Sequence, residues 1–399
     1  MTIDFTKSDS EQARSFYWAH GLLSQPTYRV IGYFKRWGNP LNPAVFDNYS
    51  TKTKELAYRA FGPAALVGAA AYLATETSLP FVGLLSLGGV MAMEGGRLAL
   101  HLLAYSNQKK DYVHVRTSAL EITRSNPKVM SWNILGFPAG MNYTCGGCIP
   151  LKDRFEGIKQ LIEQEDPDIL VIQECLIDAS TFEMFISAFQ GKYAHFFIHN
   201  GKNKLGTESG QMVITKCPVV NYTFTPFKNN DWTMTRGFTT LQINTPQGQI
   251  AVIGTHMESG SKKQDTINRT EQLAQIHNHA KQLTDVSAVV LAGDLNINAA
   301  RPKEREETRL DEVLIGVHID GEPTCTNEFN RLRYPHDRSS PETDEWVDQI
   351  ALIKRSEADT TKKVVRDLKV IPVYNIKGKL DSKHALSDHN PMVATLDLS

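Results

Sequence analysis

Residues able to ionise, donate hydrogen bonds or bind a cation recur at the ends of apolar runs: Asn133, Glu174, His256, Asp294 with Asn296, Asp348, and Asp388 with His389. A strand end must satisfy its last backbone groups anyway, so turn chemistry explains any one of them. Jointly they describe a hard-metal phosphoester site. Magnesium takes oxygen ligands and keeps several waters, so one or two carboxylates suffice when a substrate phosphate supplies more; manganese is an expected substitute. Glu174 fits the direct ligand, with Asp388 a second and Asn133 able to join the metal shell. Asp294 fits the group that orients and deprotonates an attacking water, while Asn133 and Asn296 hold that water or the phosphate oxygens. His256 and His389 can donate to charge developing on phosphorus or on the leaving oxygen. Asp348 would fix the tautomer of His389.

Elements with clear patterns carry these residues. The β-branched run from Val289 ends in Gly293-Asp294-Leu295-Asn296, and period-2 alternation puts Asp294 and Asn296 on one face. Lys128–Leu135 reads as a strand holding Trp132-Asn133, and Ile169–Glu174 as a buried strand ending on its carboxylate. Between them Arg154, Ile158, Leu161 and Ile162 recur at helical spacing until Pro167 stops the helix. Further strands are expected at Gln211–Ile214, Phe238–Ile243, Gln249–His256, Trp346–Ile353 and Ser387–Ala394, with a helix over Arg269–Leu283. Strands and helices mixed in this order predict a layered α/β domain with two sheets inside, over residues 113–399.

The 399-residue chain suits a large domain with an appendage. A hydrophobic content of 41% and a charged content of 22% are those of a globular protein. With a net charge of -1, bulk electrostatics neither recruits nor repels a polyanion. The 5 Cys are too few for a disulfide framework, which favours a reducing compartment, and Cys145-Gly-Gly-Cys148 reads as a loop with incidental thiols. Residues 1–58 form a polar arm interrupted by prolines, with no secretory signal at its start. Residues 59–106 carry two apolar runs of about 15 residues around Thr75-Glu76-Thr77-Ser78, short of the roughly 20 needed to span a bilayer. The expectation there is an apolar helical hairpin, either dipping into one leaflet as a membrane anchor, the favoured reading, or packed as a buried helical pair.

The motifs Trp132-Asn133, Gln173-Glu174, Gly254-Thr255-His256, Gly293-Asp294-Leu295-Asn296 and Ser387-Asp388-His389, in this order, resemble the endonuclease/exonuclease/phosphatase superfamily. The resemblance implies a four-layered α/β sandwich of two central sheets flanked by helices, magnesium dependence and phosphoester hydrolysis. Gly254-Thr255-His256-Met257-Glu258, Thr235-Arg236-Gly237-Phe238, Asn268-Arg269-Thr270-Glu271-Gln272, Pro323-Thr324-Cys325-Thr326 and Trp346-Val347-Asp348-Gln349-Ile350 are similar to the neutral sphingomyelinase branch. Cys325, Glu258 and Gln349 depart from that branch, and they bear on headgroup preference more than on hydrolysis.

The reading that follows is a membrane-associated phosphodiesterase acting on a phospholipid at a membrane surface, sphingomyelin first, with the catalytic domain in the cytoplasm. His256-Met257-Glu258-Ser259 also resembles tyrosyl-DNA phosphodiesterases, yet the basic residues of Arg301-Pro302-Lys303-Glu304-Arg305 are diluted by acids and form no phosphate-tracking stripe. Nucleic acid is therefore the weaker partner. Glu345-Trp346-Val347-Asp348-Gln349 echoes phosphoinositide phosphatases loosely. A catalytically dead membrane scaffold would lack a carboxylate or histidine, and none of the expected positions is missing. No obligate protein partner is visible.

Overall fold

The computed structural model describes residues 110–136, 151–175, 179–198, 200–201, 208–230, 235–326, 344–361, 364–373 and 386–398. The expected polar arm, the apolar hairpin and Cys145-Gly-Gly-Cys148 lie outside these residues. In chain order the strands are β1 (Val113–Arg116), β2 (Lys128–Gly136), β3 (Ile169–Cys175), β4 (His195–Ile198), β5 (Met212–Thr215), β6 (Val219–Pro226), β7 (Gly237–Thr245), β8 (Gly248–His256), β9 (Ala288–Asp294), β10 (Leu314–Ile315), β11 (Asp348–Ile353), β12 (Val365–Val370) and β13 (Met392–Leu396). The helices are α1 (Leu151–Glu165), α2 (Ala179–Phe189), α3 (Lys263–Gln282), α4 (Pro302–Thr308) and α5 (Leu310–Val313).

Two mixed sheets result: a 7-stranded one in the order β1-β4-β5-β3-β2-β13-β12 and a 6-stranded one in the order β10-β11-β9-β8-β7-β6. Strand alternation divides the buried side chains among three apolar layers. Along β3, Ile169 and Val171 face the space between the sheets with Val129, Val213, Val252, Val290 and Ile350. Leu170 and Ile172 face the other way, onto Ile158 and Ile162 of α1 and onto Phe185 and Phe189 of α2. On the far side of the second sheet, Ile253, Val289 and Leu291 pack on Leu273, Ile276 and Ala280 of α3. Helix, sheet, sheet, helix is the four-layered α/β sandwich expected from the sequence. Each large aliphatic side chain buried in this way contributes about 1.5–3 kcal/mol.

Several boundaries differ from those expected, for local reasons. Helix α3 begins at Lys263, before Arg269, because the Asp265 carboxylate accepts the Lys262 N–H at 2.9 Å and closes the first turn. Strand β11 starts at Asp348, since the Trp346 N–H donates to Asn298 Oδ1 at 3.3 Å instead of to a ladder. Strand β13 starts at Met392, because Ser387 and Asn390 are committed to bonds with Asn133 and Thr324. Strand β6 and helix α2, which the sequence reading does not contain, complete the sheet edge and the outer layer.

Parallel pairing of β8 with β9 puts Gly293 against Thr255. A Cβ on Gly293 would stand 2.1 Å from the Thr255 carbonyl oxygen, so only glycine permits this approach. Gly293→Ala should lower the unfolding free energy by about 1–3 kcal/mol, read from the denaturant midpoint; an unchanged midpoint would show that the two strands have room to separate.

Candidate active site

The space between the sheets is apolar for most of its length and turns polar at one end. On β8, β9 and β11 the inward-facing series Val252-Gly254-His256, Val290-Ala292-Asp294 and Leu352-Ile350-Asp348 each end on an ionisable residue. Register makes these residues neighbours: His256 pairs with Asp294, and Asp294 with Asp348. From the first sheet, Val129-Ser131-Asn133 brings Asn133 to the same side. Glu174 would face outward by alternation, but its φ of 51° breaks the strand pattern. Its carboxylate thereby comes within 4.0 Å of His256 Nε2.

Asp294 Oδ2 is the hub. Asn133 Nδ2 donates to it at 3.1 Å, His256 Nε2 lies 3.6 Å away and His389 Nε2 3.9 Å away. The other oxygen, Oδ1, accepts the Asn296 N–H at 2.8 Å. Asn133 is held in turn by the Leu135 N–H, which donates to its Oδ1 at 3.1 Å. His389 Nδ1 and Asp348 Oδ2 are 2.7 Å apart, a charge-assisted pair that holds the ring.

The placement of Asn296 differs from the alternation argument. Strand β9 ends at Asp294, and Asn296 sits beyond it at a φ of 50°. A turn, not strand alternation, brings the two together, and the Asn296 side-chain amide donates to the Met257 carbonyl at 3.1 Å. Asp388 is buried beside Ser387, whose hydroxyl donates to the Asn133 carbonyl at 2.6 Å.

Burial and then the facing Asp348 carboxylate push the Asp294 carboxyl up to about 7. Burial alone would lower the His389 imidazole; Asp348, Cys325 and Asp294 together outweigh it, so His389 titrates well above its ordinary range. The His389 imidazole thus sits between two carboxyl groups that favour its charged form, Asp348 at Nδ1 and Asp294 near Nε2.

The donor set fits a hard divalent cation. Glu174 Oε2 is buried without a hydrogen-bond donor among the described residues, an orphan that a cation would satisfy. Asp294, Asp348 and His389 also offer ligand atoms within 4.8 Å of one another. His389 brings nitrogen to that trio and already bonds Asp348, which suits proton handling better than magnesium.

Supporting residues that the sequence reading did not single out include Thr324, whose buried hydroxyl accepts the Val347 and Asp348 N–H groups at 3.0 and 3.1 Å. The Trp132 indole N–H donates to the His389 carbonyl at 2.9 Å. Arg154, anticipated only as a helix position, donates to the carbonyls of Ile134, Leu135 and Leu386. Thr324 and Trp132 lie inside quoted motifs; nothing local marks Arg154.

Residues 130–336 match the model of the Endonuclease/Exonuclease/phosphatase family, and the chain belongs to that family. No curated protein matches the chain by sequence. Among solved structures, a beta toxin from Staphylococcus aureus is similar at 19% identity with a TM-score of 0.55, over 67% of this chain and 99% of the toxin. SmcL is similar at 19% identity with a TM-score of 0.53, over 68% and 99%. A double mutant of the beta toxin, solved with bound magnesium ions, aligns at 18% identity and a TM-score of 0.52, over 67% and 99%. At such identities the likeness is one of fold, here the phosphodiesterase-type fold of the family.

Asp294 holds its proton to a higher pH folded than unfolded. The folded state is thus favoured by this group below the usual carboxylate range, and that contribution is lost as pH rises through about 7. In metal-free protein, Asp294→Asn should raise the thermal midpoint above wild type at about pH 8, with the gap closing toward about pH 4. A gap that is absent at alkaline pH, or that widens on acidification, would contradict the assigned burial cost.

Proposed function

We propose that this protein is a magnesium-dependent phosphodiesterase that hydrolyses a phospholipid at a membrane surface, with sphingomyelin as the leading substrate. The observation that carries the reading is the Asp294 carboxylate: buried, poised near neutrality, gripped at both oxygens and flanked by two imidazoles. A general base works best with a pKa near the operating pH, and a fixed carboxylate loses no energy to reorientation.

A water held against Asp294 gives up its proton to the carboxylate as its oxygen bonds to phosphorus. Asn133 and the Asn296 N–H keep that carboxylate aimed at the water. His389, charged and backed by Asp348, faces the developing negative charge, and His256 stands on the other side of Asp294 within reach of phosphoryl or leaving oxygen. The phosphorus–oxygen bond to the lipid alcohol breaks, and the departing oxygen takes a proton from an imidazole. With sphingomyelin the products are ceramide and phosphocholine. Magnesium, held by Glu174 and with Asp388 as the proposed second ligand, would add Lewis-acid polarisation of a phosphoryl oxygen.

The lipid substrate rests on the sphingomyelinase-like stretches and on their adjacency. Arg236, from Thr235-Arg236-Gly237-Phe238, donates to the carbonyl of Met257 at 2.7 Å, joining two of those stretches at the site rim. No helix among the described residues is long and apolar enough to cross a membrane. The apolar segment 59–106 is the proposed anchor, and it would raise the effective concentration of catalytic domain at headgroups.

The deciding experiment offers the full-length protein sphingomyelin, phosphatidylcholine and phosphoinositide vesicles and a tyrosyl-DNA adduct, each with magnesium or with chelator. Phosphocholine release from sphingomyelin, abolished by chelator, is the expected result. Turnover confined to DNA or inositol phosphates rejects the lipid substrate, and no turnover of any substrate favours the scaffold. Asp294→Ala should cost roughly a hundredfold or more in kcat, with the folded far-UV signal retained; near-normal turnover would remove Asp294 from the mechanism.

A further inference from the structure

We infer that Arg154 is a positioning residue whose guanidinium sets the spacing between the Asn133 turn and the Ser387-Asp388-His389 loop. The inference rests on the phosphodiesterase reading for its consequence in catalysis, though not for its geometry.

The end of β2 creates the need. Its pairing with β3 shifts register between Asn133 and Gly136, and Leu135 adopts a φ of 47°. The carbonyls of Ile134 and Leu135 are thereby turned out of the regular ladder inside the protein, where an unmatched acceptor is costly. Arg154, buried in the first turn of α1, supplies the donors: NH1 to Ile134 O at 2.8 Å and NH2 to Leu135 O at 2.6 Å. NH1 also donates to the carbonyl of Leu386, the residue before Ser387. NH1 alone bridges the two segments while NH2 takes the Leu135 carbonyl, so three carbonyls meet two nitrogens of one planar fork, a spread that the single ammonium nitrogen of lysine cannot match from the same stem.

Each arm of this clasp ends on a reacting group. On one side the turn held by Arg154 presents the Leu135 N–H to Asn133 Oδ1, leaving Asn133 Nδ2 aimed at Asp294. On the other side Ser387, next to the clasped Leu386, bonds the Asn133 carbonyl through its hydroxyl and accepts the His389 N–H at 3.2 Å. The first sheet supplies Asn133 and the approach to His389, whereas Asp294 and Asp348 belong to the second. Arg154 thus sets how the donors of one sheet meet the carboxylates of the other, without touching them.

Arg154→Lys keeps the charge and much of the stem but loses the fork. With a soluble magnesium-dependent diester substrate its kcat should fall roughly tenfold or more with KM little changed, as expected of misplaced catalytic groups. In an Asn133→Ala background the same substitution should cost less, because its route to Asp294 is already cut and only the His389 arm remains. Amide hydrogen exchange gives a readout free of substrate: Leu135 and His389 should lose protection while Val171 and Val290 keep theirs. Wild-type kcat in Arg154→Lys, full additivity with Asn133→Ala, or protection lost evenly across the core would each overturn the inference. Absence of diester turnover in wild type would sink the phosphodiesterase reading and leave the exchange experiment to decide the clasp. Should Arg154→Lys fail to fold, Ser387→Ala opens the clasp from the His389 side and must give the same split between kcat and KM.

Discussion

Asp294 and Asp348 stand opposite each other on adjacent antiparallel strands, with both side chains turned into the protein. Like charges so placed repel, and each pays to leave water. The surrounding structure answers both costs: His389 pairs with Asp348, Asn133 and the Asn296 N–H saturate Asp294, and Asp294 itself takes a proton near neutral pH. A carboxyl group that titrates near neutral pH is one able to accept and release a proton in that range.

The constraint explains why two sheets are needed. A single sheet could place Asp294 beside Asp348 and His256, as β8, β9 and β11 do. The Asn296 N–H reaches Asp294 from the turn after β9, but the Asn133 amide and the His389 counter-ion approach from across the carboxylates, on the side of the facing sheet. β2 carries Asn133, and the loop entering β13 carries His389. The three apolar layers hold the sheets face to face; the polar end of the middle layer is where that rigidity is put to use.

Three of the six left-handed non-glycine residues among the described ones lie at this end. Leu135, Glu174 and Asn296 all have φ near 50°, and each adjoins a group of the site. Left-handed conformations at non-glycine residues cost energy and persist where neighbouring contacts impose them. Here they aim Glu174 across the cleft, free the carbonyl gripped by Arg154 and turn the Asn296 N–H toward Asp294.

Local sequence was enough to mark the polar positions carried by β2, β8 and β9, since apolar alternation running into Asn133, His256 and Asp294 depends only on neighbours along the chain. It also carried the motifs of the family and, with them, the four-layered sandwich. Glu174 was legible as a residue type but not as a direction, because a left-handed φ inverts the face that alternation assigns. Arg154 was legible only as one more helix position, since its partners lie about 20 and 232 residues away. The register that sets Asp294 against Asp348, and the distance between sheets that lets Asn133 and His389 reach them, arise from pairings between remote segments. The sequence by itself determined which residues could do the chemistry; tertiary structure decided their facing, charge state and spacing, because those depend on burial and on contacts that no local pattern encodes.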